Sequence, residues 1–113
     1  MNKKELLIQR NKIWSSYHTP SMANYCKRKK NAVFINPANS LKHETEKLKL
    51  CYNLRKEKKE FITEAVENKT GLRRDVVCLD TGIVYELETN PKKAKSLKRE
   101  GYLNDNVEVI EVK

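Results

Sequence analysis

Three carboxylates occupy positions where apolar residues are expected: Glu44 on the inward stripe of a predicted helix, Asp75 at the head of one predicted strand, and Glu86 inside the next. Burying an unpaired ionised carboxylate is costly, so acids on inward faces usually have a cation to meet. Oxygen-only donors of this kind suit Mg²⁺ or Mn²⁺, which sit at about 2.0–2.1 Å from a few carboxylates and keep several waters. Such an ion can bind a phosphodiester, stabilise charge on the phosphorane and lower the pKa of an attacking water. The competing reading is structural. Glu86 and Glu88 would then line the solvent face of a half-exposed hairpin and pair with Arg73, Arg74 or nearby lysines.

The elements that must position these acids follow from periodicity. Ser40 is a good N-cap, and Leu41, Glu44, Leu48, Cys51 and Arg55 recur at helical spacing, so Glu44 should point where Leu41, Leu48 and Cys51 point. Residues 60–66 have the β-branched and aromatic content of a strand, with a turn at Asn68 to Gly71. Residues 74–79 form a second strand, Asp80-Thr81-Gly82 a tight turn, and residues 83–88 a third strand, antiparallel to the second. Asn90 then caps a helix with Pro91 at its first position, Ala94 and Leu97 inward, and Gly101 as its stop. Residues 106–112 alternate as a last strand, which a helical crossover should leave parallel to the third.

Period-2 alternation sorts the acids. Val84, Glu86 and Glu88 share one face of their strand, Tyr85 and Leu87 the other, and Asp75 shares a face with Val77 and Leu79. The short turn brings Asp75 near Glu86 or Glu88, with Glu44 approaching from the first helix. His43 lies about 100° around that helix from Glu44, which argues against a direct shared metal and favours a surface or structural role. Glu64 alternates with Ile62 and Val66, and is expected to support the site or, more simply, to form an ion pair.

Composition bounds the partners. With 113 residues the chain suits one domain, and 24 Lys+Arg against 15 Asp+Glu give a net charge of +9. A polyanion is the natural partner. The excess is unevenly placed: residues 1–40 hold eight basic side chains against Glu5, a net of +7, whereas residues 41–113 hold 16 against 14, a net of +2. Residues 1–39 therefore read as a basic helical arm and residues 40–113 as the core. The arm offers a short helix around Lys4 to Trp14, a break at His18-Thr19-Pro20, and a second helix from Ser21 to about Lys30. The run Lys27-Arg28-Lys29-Lys30, interleaved with Trp14, Tyr17 and Tyr25, is a candidate for phosphate contact. No run approaches ~18 apolar residues, and the N-terminus lacks an apolar signal region, so a cytoplasmic protein without membrane contact is expected. Cys26, Cys51 and Cys78 are too few and too widely spaced for a disulfide framework or a zinc signature.

The stretch Arg74-Asp75-Val-Val-Cys-Leu79, a glycine turn, and Ile83-Val-Tyr-Glu86-Leu-Glu88-Thr89 resembles the active-site hairpin of the PD-(D/E)XK, or restriction-endonuclease-like, nucleases. Over residues 40–112 the element order is similar to that superfamily's αβββαβ core, a mixed central sheet flanked by helices. The resemblance implies that Asp75 is a metal-bridging aspartate, Glu86 the first acid of the (D/E)XK element, and Glu44 the helix-borne acid. It implies an Mg²⁺-dependent endonuclease acting on DNA, with Asp75, Glu86, Glu88 and Glu44 in catalysis. Arg73, Arg74, Lys92 and Lys93 would join the basic run against the phosphate backbone. Structure-specific members such as Holliday-junction resolvases are a fold-level analogy, and a homodimer is consistent with them. Residue 88 departs from the pattern, since the usual lysine is Glu. Either Glu88 binds metal or positions water, or a cation arrives from elsewhere, with Lys92, Lys93 and Arg74 nearest in sequence. A relative that retains the fold and binds DNA without cutting it is the alternative.

Overall fold

The computed structural model describes residues 1–18, 29–90, 92–93 and 106–112. Its elements are α1 (Lys3–Trp14), β1 (Tyr17–His18), α2 (Leu41–Lys56), β2 (Phe61–Glu67), β3 (Arg73–Cys78), β4 (Val84–Glu88) and β5 (Val107–Glu111). They make a small mixed α/β domain around one five-stranded sheet in the order β1-β2-β3-β4-β5. The β1–β2, β2–β3 and β3–β4 pairs are antiparallel and β4–β5 is parallel. The hairpin and the parallel last strand are as the spacing predicts. The expected second helix of the arm falls mostly outside the described residues, as does all but the start of the helix expected after Asn90.

Each face of the sheet carries its own apolar cluster. One gathers Tyr17, Ile62, Ala65, Val77, Leu79, Val84 and Val107, with Ile13 and Trp14 packed against it. The other gathers Cys51 and Leu54 of α2 with Phe61, Val76, Cys78, Leu87 and Val112. Fully burying side chains of this size stabilises by roughly 1.5–3 kcal/mol each, which makes these two layers the main source of stability. Residues before 40 take part: Tyr17 pairs with Glu67 and His18 with Val66, adding an edge strand where a break was expected. At the β3–β4 turn Gly82 has φ +79°, and a Cβ there would meet Ile13 Cδ1 at 3.4 Å.

The helix α2 is set differently from its expected stripe. Leu41 is 83% exposed and Leu48 55%, while His43, Glu44, Lys47, Cys51 and Leu54 are buried. The inward face thus runs Glu44, Lys47, Cys51, Leu54, sharing only Glu44 and Cys51 with the expected one. The physical reason is local pairing: Lys47 Nζ donates to Glu44 Oε1 at 2.7 Å, so both charges enter together, and Leu41 and Leu48 are left outside.

Candidate functional site

Glu44 is fixed by three donors, one from the segment before α2 and two from α2 itself. Asn36 N–H donates to its Oε1 at 2.6 Å, Lys47 Nζ donates to the same oxygen at 2.7 Å, and His43 Nδ1 reaches Oε2 at 2.7 Å. Burial opposes its ionisation, but these three donors together outweigh it and hold the carboxyl at about 2. Lys47, wholly buried, also donates to Phe34 O at 2.7 Å and stands 3.9 Å from Glu64 Oε2. The segment leading to α2 is thereby clamped over the helix. Thr63 ties it to β2, donating to Ala32 O at 2.9 Å and accepting from Phe34 N–H at 3.0 Å.

The sheet opens at the acids. Strands β2 and β3 pair as Thr63↔Val76 and Ala65↔Arg74, which sets Glu64 opposite Asp75 with no ladder pair between them. Strands β3 and β4 pair as Val76↔Tyr85 and Val77↔Val84, so the same register carried one step sets Asp75 opposite Glu86, again unpaired. Glu64, Asp75 and Glu86 therefore occupy one row across three adjacent strands. Glu64 has φ +50°, a left-handed conformation uncommon for a strand residue. Alternation breaks there, since Ile62 and Ala65, three apart, lie in the same cluster. Asp75 is turned toward α2: its Oδ2 accepts from Leu87 N–H at 2.8 Å and lies 3.5 Å from His43 Nε2.

On β4 Glu86 accepts from Arg74 Nη1 at 3.2 Å, and Arg74 also stands 3.7 Å from Glu67 Oε2. Burial, then the negative charge of Asp75, pushes the Glu86 carboxyl up to about 7 despite Arg74. Burial likewise raises Glu64, against the pull of Lys47. The carboxylates of Glu44, Glu64, Glu67, Asp75 and Glu86 share Lys47, Arg74 and His43 as ion-pair partners among the described residues. Among the described residues, however, no three His, Cys, Asp or Glu side chains are placed to hold a metal together. In this arrangement His43, Lys47 and Arg74 occupy the acids instead.

Asp75, Glu86 and His43 line an open cleft of about 470 Å³ whose rim includes Arg73, Lys93 and Ser40. Glu88 lines it too, but its Oε1 accepts from Asn90 N–H at 3.0 Å. Of the candidate phosphate contacts, Arg73 and Lys93 are exposed on this cleft and Lys92 is exposed, while Arg74 is buried against Glu86 and serves the acid. Lys30 stands 3.7 Å from Glu60 and 5.2 Å over the Trp14 ring, away from the cleft. Lys29 is exposed, and Lys27 and Arg28 lie outside the described residues.

His43, expected in a surface or structural role, is a buried structural bridge, and Lys47 has no role expected from the sequence. The signal for Lys47 was its place three residues after Glu44, a spacing that puts a cation on the same face. His43 shows that 100° of helix rotation does not separate adjacent long side chains that both turn toward a sheet. Cys51 and Cys78 are buried free thiols, and burial pushes Cys51 up to about 12, as suits packing rather than chemistry. No described helix is long and apolar enough to cross a membrane. Comparison of the chain with protein-family models, with curated proteins and with solved structures finds no match.

Proposed function

We propose that this chain is a metal-dependent DNA nuclease of the restriction-endonuclease-like kind, hydrolysing phosphodiester bonds. The observation that carries the proposal is the opened end of the β3–β4 hairpin, where Asp75 and Glu86 stand opposite each other in a cleft beneath the helix that bears Glu44. The donor type suits Mg²⁺ or Mn²⁺, since the acids offer only oxygen. Asp75, Glu86 and Glu44 would hold the ion, which when bound supplies Lewis-acid stabilisation and an acidified water. Arg73 and Lys93 on the rim would engage the phosphate backbone, a contact that sets affinity without reading sequence. Arg74, 3.2 Å from Glu86, and Arg73 and Lys93, which line the same cleft, are the cations that would serve where Glu88 stands in place of the resembled family's lysine. A structure-specific, dimeric enzyme of the junction-resolving type, working in the cytoplasm, remains the fold-level analogy.

Incubating the protein with branched and linear DNA in Mg²⁺ and in EDTA tests this reading. Metal-dependent cleavage abolished by Asp75→Ala and by Glu86→Ala is the expected result, and cleavage indifferent to both substitutions would sink the assigned site. One observation favours a second reading: His43, Lys47 and Arg74 already engage the acids, as they would in a protein that binds DNA without cutting it. Salt-sensitive DNA binding with no cleavage in any divalent metal selects that alternative.

A further inference from the structure

Helix α2 turns two charges inward and leaves large apolar side chains in water. Tyr52 is 63% exposed and joins Leu41 and Leu48, whereas Lys47 on the same helix is wholly buried. With Thr45 and Arg55 these exposed residues recur at alternating steps of four and three, the spacing that seats one helix against another. In heptad terms Leu41, Leu48 and Arg55 take d, and Thr45 and Tyr52 take a. The buried side chains of α2 fall only on c, f and g, so the a/d seam lies outside the core. Among the described elements α2 packs chiefly on β3 and β4, with its other side. Every e position is a lysine: Lys42, Lys49 and Lys56, all exposed. Lys49 meets Glu46 at 3.2 Å, an exposed pair of the kind that contributes little and yields easily to another acid.

These flanks decide the occupant. In an antiparallel pair e meets e, so a second copy would set its lysines against these lysines. In a parallel pair e meets g, and g here is Glu44 and Cys51, both buried within their own protomer. The segments outside the described residues, 19–28 and 94–105, carry five basic side chains against two acidic ones, again the wrong sign. We propose that this face of α2 is a docking surface for an acidic amphipathic helix of a partner protein. Its apolar seam would cover Leu41, Leu48 and Tyr52, and its Asp or Glu flank would meet Lys42, Lys49 and Lys56. Thr45 and Arg55, polar within the seam, set the register at a cost in affinity. None of these residues lines the cleft, so the surface goes beyond the nuclease reading and does not rest on it.

The probe is a fluorescently labelled synthetic peptide of about three heptads with Leu at a and d and Glu at e and g, compared with a twin carrying Lys at e and g. Anisotropy against the full chain at physiological ionic strength reads binding, and circular dichroism reads the helix gained. The Glu-flanked peptide should bind with micromolar affinity and gain helix, and the Lys-flanked twin should bind about tenfold more weakly or worse. Leu48→Ser with Tyr52→Ser should weaken the Glu-flanked peptide about tenfold or more at unchanged Tm, since both positions are exposed. Lys42→Glu with Lys49→Glu and Lys56→Glu should invert the preference. Where that triple change does not fold, Lys49→Glu alone decides: it should narrow the gap between the peptides, and an unchanged gap overturns the proposal. Equal affinity for both peptides, binding of neither, or Glu-flanked binding that survives Leu48→Ser with Tyr52→Ser overturns it too. A dimer of the chain alone, seen by analytical ultracentrifugation and lost in Leu48→Ser, assigns the face to a second copy instead. Binding to phosphatidylglycerol vesicles that depends on Leu48 and Tyr52, without peptide binding, assigns it to a lipid surface and likewise overturns the proposal.

Discussion

His43 bridges two acids: its Nδ1 lies 2.7 Å from Glu44 Oε2 and its Nε2 3.5 Å from Asp75 Oδ2, while Nε2 also reaches Leu87 O at 2.9 Å. Both ring nitrogens face acceptors, so both bonds are made in full only when both carry protons. The ring joins α2 to the hairpin at the point where the β3–β4 ladder stops. Replacing His43 by Ala strips donors from a buried carboxylate and a buried carbonyl, and should cost about 1–3 kcal/mol. Urea unfolding measures it as a lower midpoint at unchanged slope. A loss under about 0.5 kcal/mol, the scale of surface substitutions, would contradict the bridging role.

Glu86 sets a second expectation through pH. Its carboxyl, raised to about 7 by burial and by Asp75, holds a proton in the folded chain that an ordinary unfolded carboxyl has already lost. Between the ordinary value and about 7 the folded state binds more protons than the unfolded state, so stability falls as pH rises through that window. In metal-free buffer the protein should be less stable at pH 8 than at pH 5.5, and Glu86→Gln should flatten that slope and stabilise at pH 8 by on the order of 1–2 kcal/mol. Chemical denaturation at the two pH values checks the sign. A metal-free protein whose stability rises across this window through Glu86 would refute the assignment. Adding Mn²⁺ should reverse the slope, because the ion competes with the proton.

Lys47 is the buried cation on which two acids depend. Removing one partner of a buried pair strands the other, at a cost of about 3–5 kcal/mol. Lys47→Met should therefore destabilise strongly, while Lys47→Met combined with Glu44→Leu should recover much of the loss, since apolar replacement of both partners is often tolerated. A double-mutant cycle read by thermal or urea unfolding gives the coupling. A near-zero coupling would mean that Lys47 contributes packing alone.

How much of this was legible beforehand depends on the kind of signal. The hairpin and its turn followed from alternation and turn residues, which local sterics determine, and the parallel last strand from the handedness of a helical crossover. Glu44 facing inward followed from helical spacing. Its companions did not, because Leu41 and Leu48 out-compete Lys47 in any hydrophobicity-based reading, whereas the fold buries Lys47 with Glu44 and leaves the leucines exposed. The positive φ at Glu64 has no sequence mark, as Glu is not a residue that seeks that conformation. The edge strand at Tyr17–His18 is two residues long, too short to show alternation. Its partner is 50 residues away in sequence at Glu67.

Arg10 gives the last test, of whether α1 is an integral layer. Its Nε donates to Asp80 Oδ1 at 2.9 Å and its Nη2 to Oδ2 at 2.8 Å, a two-pronged contact that holds α1 against the β3–β4 turn. Asp80 accepts in addition from Glu60 N–H at 2.9 Å, so the same carboxylate joins α1 to the entry of β2. Burial disfavours the charged form of Asp80, but Arg10 and the Glu60 amide outweigh it and lower its pKa. A depressed carboxyl stabilises above its unfolded pKa, and that contribution is lost as pH falls through the folded value. Arg10→Ala should cost about 1–3 kcal/mol at neutral pH, the range for hydrogen bonds to charged groups, and progressively less in acid. Hydrogen exchange separates this from a global effect: amides of α1 from Leu6 to Trp14 should lose protection first, with α2 following only as overall stability falls. Equal loss of protection in α1 and α2 would show that the two unfold as one unit, and that Arg10 does not hold α1 in place by itself.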